Sequence, residues 1–221
     1  MNEMENAWKL LMYSRTFFKG SLKSGNKVFS PSGGSASPGR RQRRNENSVE
    51  ANDWISVLSN HCTTRELLDI LALASPEGRS GNCFEYSMIA IRNGVDLHIP
   101  NIWLVIHHTH QFLVLADIAS FNDLEAHEFH QFDSNNFWVC DPWFKIHCRM
   151  HLYSLMTSIK SLQWECEGKL IFNSDHTELP TLWSQKLCVG KMRFIRMTDS
   201  AGTPTNEWWE WYHSPLSHRA T

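Results

Sequence analysis

The sequence predicts an α+β fold. Apolar residues between residues 51 and 94 recur at helical spacing, and from residue 102 onward they alternate with a period of two. No internal repeat divides the chain. Helices first and a largely antiparallel sheet afterwards is the order that defines this class. At 221 residues and 42% hydrophobic, the chain is long enough for one domain with a sizeable core plus a tail.

Residues 5 to 18 suggest a short amphipathic helix with Trp8, Leu11 and Met12 on one side. Residues 20 to 50 are rich in Ser, Gly, Pro and charge, and are expected to be a disordered linker, because so little apolar surface cannot offset the entropy of ordering. The run "RRQRR" within it is read as a solvated basic tail, with a nuclear-import or anion-binding patch as the alternative. The folded domain then spans 51–221. "NDWISVLSNH" places Trp54, Val57 and Leu58 at helical spacing. "TTRELLDILALAS" is a stronger helix: Thr63 and Glu66 form a capping-box pattern ahead of Leu67, Leu68, Leu71 and Leu73. Pro76, Gly78 and Gly81 break the chain before a helix from Cys83 to Arg92, with Met88 and Ile91 inward and Asn93-Gly94 as its stop. Strands follow in Ile102 to Ile106, "HQFLVLAD", "NFWVCDPWF" (stopped by Pro142), "WECEGKLIFN" and "KMRFIRMT", with a helix around residues 151 to 160.

Charge and cysteine content narrow the function. A net charge of −2 gives no electrostatic case for nucleic acid or an anionic membrane as partner. The longest apolar runs, "ILALA" and "IWLVI", are too short to span a bilayer, and the acidic start "MNEMENAWKLLMYSRTFF" lacks the apolar core of a Sec signal peptide. Six cysteines without a dense spacing framework point to free thiols in a cytoplasmic-type, reducing environment.

One of those thiols stands where chemistry is favoured. Free cysteine is ordinarily a small, inert core residue. Cys83 instead sits at the first turn of a predicted helix, after a glycine-containing loop. Unpaired backbone N–H groups and the helix dipole there favour a thiolate, and they could bind the oxyanion of a tetrahedral intermediate. A nucleophilic cysteine needs a base and a group to orient that base. The strand beginning "HQFLVLAD" offers His110, and the strand ending "FWVCDPW" offers Asp141.

"GNCFEYS", "HQFLVLAD" and "WVCDPW", in this order over residues 81 to 144, resemble the transglutaminase-like superfamily of papain-like Cys-His-Asp enzymes. The resemblance implies a papain-like core with Cys83 as nucleophile, His110 as general acid and base and Asp141 as its orienter. It implies thiol-dependent acyl transfer on protein amides, as in glutamine deamidases, cysteine proteases and transglutaminases, with no cofactor and a protein substrate. Asn82 and Trp54 are the candidate oxyanion donors. Effector-type members, together with the basic leader, suggest a bacterial effector that acts as a monomer in a host cell, is exported by a Sec-independent route, and uses residues 1–19 as a leader. The rival expectation is an inert superfamily member that binds a partner protein. Departing from the family, "NGVDLHIPNIWLVIHHTH" carries no Arg between the helix and the His strand.

Histidines other than His110 are assigned no chemistry. A zinc site of Cys83, His108 and His110, or one on "HEFH" with His127 and His130, would compete with the triad, but these spacings match no structural zinc pattern and no metal is expected. The aromatic run "NEWWEWYH" is expected to pack back on the core.

Overall fold

A computed structural model describes residues 2–20, 24–30, 36–173 and 176–216. Helix α1 (Glu3–Phe17) starts at Asn2, whose side chain accepts the Glu5 N–H at 3.0 Å. Its buried face is Ala7, Leu10, Leu11 and Ser14, so Leu11 points inward as expected. Trp8 and Met12 do not: they are 48% and 40% exposed. The face that meets the protein is set by the small Ala7 and Ser14, which let α1 lie close against its neighbours.

The segment expected to be disordered carries a strand and a long helix, β1 (Lys27–Phe29) and α2 (Pro38–His61). Residues 21–23 and 31–35 of that segment lie outside the described residues. The apolar content is low, as its composition dictates, but polar side chains close the structure instead. Asn45 pairs with both backbone groups of Phe29, at 2.7 and 2.9 Å, and Ser48 donates to the Lys27 carbonyl at 3.2 Å. Arg40 to Arg44, the "RRQRR" run, are helical, two residues after Pro38 opens α2.

Helix α3 (Thr64–Leu73) has the expected capping box, with Leu67, Leu68 and Leu71 buried and Leu73 turned out to solvent. Helix α4 (Cys83–Asp96) passes through Asn93-Gly94 rather than ending there. Gly94 faces Leu10 of α1 and Ile102 so closely that a Cβ has no room, so it serves helix packing and not a C-cap.

Strands β2 (Ile102–His107) and β3 (His110–Leu115) form a hairpin turned by His108 and Thr109. Then come β4 (Leu124–Glu125), a 3-10 helix at Ala126–Phe132, β5 (Trp138–Asp141) and β6 (Ile146–Arg149). The helix foreseen near residue 151 is α5 (Tyr153–Cys166), so the "WEC" of the expected fourth strand is helical. The chain turns at Gly168, φ +73°, into β7 (Lys169–Asn173). Strand β8 (His176–Glu178), helix α6 (Pro180–Lys186), β9 (Lys191–Arg196) and α7 (Asn206–His213) complete the described chain.

The architecture is α+β with antiparallel sheets. The larger sheet has the order β4-β9-β2-β3-β5-β6, and β1-β7-β8 form a smaller one. α4 packs on β3 and β2, and α1 packs on α4, β5 and β3, so both cover the central strands. One contiguous core runs from Ala7 to Leu216. In the aromatic run Trp208 is 2% exposed, while Trp209 stays 45% exposed. No helix among the described residues is long and apolar enough to cross a membrane.

Candidate active site

Sheet register brings two of the expected residues together. β3 and β5 pair with Leu113 opposite Cys140, so Asp141 falls opposite Phe112 and on the same face as His110, two residues away. His110 Nε2 and Asp141 Oδ2 are 2.8 Å apart, with both side chains fully buried. Asp141 accepts two more hydrogen bonds, from the Phe144 N–H at 3.0 Å and from the Tyr153 hydroxyl at 2.8 Å. Burial holds the Tyr153 phenol well above its ordinary pKa, so it remains a donor.

The His110 ring is caged by aromatic rings, with Trp143, Trp183 and Phe144 centroids at 5.2, 5.3 and 5.5 Å. Burial pushes its pKa down. The charge and hydrogen bond of Asp141, joined by Cys83, push it up and prevail, to about 9. Nε2 is committed to Asp141, which leaves Nδ1 for the thiol. The thiol is near enough to help hold the proton but short of a well-aligned hydrogen bond, because buried Nδ1 has no such partner. Hydrogen bonds of this kind are commonly loose without substrate.

Cys83 is the first residue of α4 and is half-buried. Three contacts fix that helix start. Glu85 Oε2 accepts the Asn82 N–H at 2.7 Å. Ser87, one turn on, donates to the Gln111 carbonyl beside His110 at 3.2 Å. From the far side, Ser14 of α1 donates to the Tyr86 carbonyl at 2.8 Å. Burial raises the Glu85 carboxyl pKa against the pull of the Asn82 and Glu85 backbone N–H groups.

The candidate oxyanion donors stand apart in role. Asn82 Nδ2 donates to Asn52 Oδ1 at 3.2 Å, and Trp54 lies half-buried on α2. The backbone N–H groups at the start of α4 remain as oxyanion donors of the right kind. Of the other histidines, His107 contacts Thr109 and the Val189 carbonyl, each at 2.9 Å, and His130 contacts the His127 carbonyl at 2.6 Å. Among the described residues no three His, Cys, Asp or Glu side chains converge as a metal site requires. Tyr153 is the site residue that sequence reading missed. The Asp141–Phe144 bond had a signal, since Asp-Pro-x-x is a turn in which an Asp side chain takes a following N–H.

No family model, no curated protein and no solved structure matches this chain.

Proposed function

We propose that this chain is a thiol-dependent acyl-transfer enzyme acting on protein amides, of the transglutaminase-like, papain-like kind that its motifs resemble. The observation that carries this reading is a buried His110 held by Asp141 on one nitrogen, with Cys83 at a helix start beside the other. Cys83 as thiolate attacks an amide carbonyl, and the oxyanion is met by N–H groups at the start of α4. His110 gives its proton to the departing amine or ammonia, leaving a thioester. It then takes a proton from water, or from an acceptor amine, and the thioester is resolved. Asp141 fixes the ring and its tautomer. Deamidation, proteolysis and transglutamination share the thioester and differ in what leaves and what resolves it. The effector reading rests on the resemblance alone, because α1 and β1 belong to the folded body.

The test is selective alkylation with iodoacetamide. The exposed Cys166 and Cys188 are internal references. Ordinary thiols lose about tenfold in rate per pH unit below roughly pH 8. Cys83 is expected to keep a nearly flat rate down to about pH 6, and His110→Ala to restore the ordinary slope. Cys83→Ala should fold normally and release no amine or ammonia from casein. A Cys83 profile parallel to those of Cys166 and Cys188 would favour the inert protein-binding reading.

A further inference from the structure

A cavity of about 590 Å³ lies behind the candidate active site, and neither Cys83, His110 nor Asp141 lines it. Of its 18 lining residues nine are Lys or Arg, against 21 in the whole chain, and none is acidic. They come from both halves of the fold. The N-terminal segment gives Arg15, Lys19 and Lys27, and then Arg40, Arg43 and Arg44 from the start of α2. The opposite wall gives Lys145, Lys160 and Lys169. The floor is aromatic: the Lys27 ammonium lies 4.0 Å from the Trp143 centroid and 4.3 Å from that of Trp164, and donates to the Trp143 carbonyl.

We infer that this cavity is a binding site for a compact polyphosphate small molecule, which clamps the N-terminal segment to the body. Concave shape and volume suit a small ligand, whereas a membrane or nucleic acid asks for an open face or stripe. Arginine forks match phosphate oxygens two at a time, and three of the nine are on one helix. The empty arrangement is only partly compensated: Glu167 pairs with Lys169 at 2.5 Å, and Asp141 favours the charge of Lys27, yet like charges still face one another. The Lys27 pKa falls well below the ordinary value, first through burial and then through Arg15, and that of Lys160 falls through burial and then Lys169. A ligand with several negative charges relieves this; a single phosphate does not. The inference is independent of the proposed chemistry at Cys83.

Full-length protein should be titrated calorimetrically at about 0.15 M salt with inorganic tripolyphosphate, myo-inositol hexakisphosphate and orthophosphate. We expect one equivalent of a polyphosphate per chain, little binding of orthophosphate, and a melting temperature raised by about 5–10 °C at a hundredfold excess over Kd. The triple change Arg40→Gln, Arg43→Gln, Lys145→Gln concerns residues whose exposure lets the fold stand. It should weaken binding at least tenfold while leaving the ligand-free melting temperature unchanged or higher. Three results would overturn the inference: no saturable binding, equal binding by the triple variant, or tighter binding of single-stranded RNA or phosphatidylserine vesicles than of either polyphosphate.

Discussion

Asp141 ties three parts of the fold to one carboxylate: the ring of β3, the turn after β5 and the first residue of α5. That charge is the main reason the buried His110 keeps a proton to about pH 9. Its consequence for stability has a definite sign. A histidine whose pKa rises on folding contributes stability that is fully present below its ordinary value, near 6.5, and is lost as pH rises through about 9. Asp141→Asn removes the charge and leaves burial to lower the pKa, so the variant lacks this contribution at every pH. The gap in urea midpoint between wild type and Asp141→Asn should therefore be large near pH 6 and shrink by about pH 9.5. The difference cancels groups that Asp141 does not reach; Lys27, whose charged form Asp141 also favours, adds to the gap with the same sign. A gap constant across that range would show that His110 is not protonated in the folded protein. Cys83, His110 and Asp141 were legible in the sequence because their residue types carry chemistry and their strands have a period of two. Tyr153 was not, because nothing local says where a tyrosine twelve residues downstream will point its hydroxyl.

Between residue and molecule stands the placement of α4, which decides where the thiol sits. Gly81 precedes it by two residues, and a Cβ there would meet the Glu85 Cβ at 2.7 Å and the Phe18 ring at 3.1 Å. Neither neighbour can yield easily, since Glu85 is buried and holds the Asn82 N–H, and Phe18 stacks on Tyr86 at 4.2 Å. Gly81→Ala should thus push the loop and the first turn away, costing about 1–3 kcal/mol of stability as overpacking does. It should also lower the rate of Cys83 alkylation at about pH 6, since the thiol leaves its imidazolium. Unaltered stability and alkylation would mean that the helix start tolerates displacement. Elements with strong periodicity, α3 and the β2–β3 hairpin, were readable in advance for the same reason that they are locally self-consistent. β1 and the first half of α2 were not, because what orders them is distant: β7 as a pairing partner and Asn45 as a backbone substitute. The passage of α4 through Gly94 is likewise set by neighbours, whereas Leu73 leaves by helical period alone, about 200° round the axis from Leu71.

For the whole molecule, that distant ordering reverses the expectation for the N-terminal segment. A disordered leader could be deleted without loss. Here Leu10, Leu11, Phe18 and Val28 are all within the core, at most 7% exposed. Burying each contributes roughly 1.5–3 kcal/mol, so together they amount to about 6–12 kcal/mol. A domain's net stability is about 5–15 kcal/mol. Deleting residues 1–48 would also uncover Tyr86 and the faces of α4 and β5, and strip β7 of its partner β1. The truncated chain 49–221 should therefore aggregate or lack a cooperative melt by circular dichroism. A single substitution gives the graded version. Leu10→Ala leaves a cavity between α1, Gly94 and Ile102 and should cost about 2–5 kcal/mol in a urea titration without changing the m-value. Trp8→Ala should cost less, about 1–2 kcal/mol, because Trp8 is half-exposed and its ring meets that of His147 edge-on. If residues 49–221 melted cooperatively within a few degrees of the full chain, α1 and β1 would be appendages, and the cavity they share with Lys145, Lys160 and Lys169 would lose one of its walls.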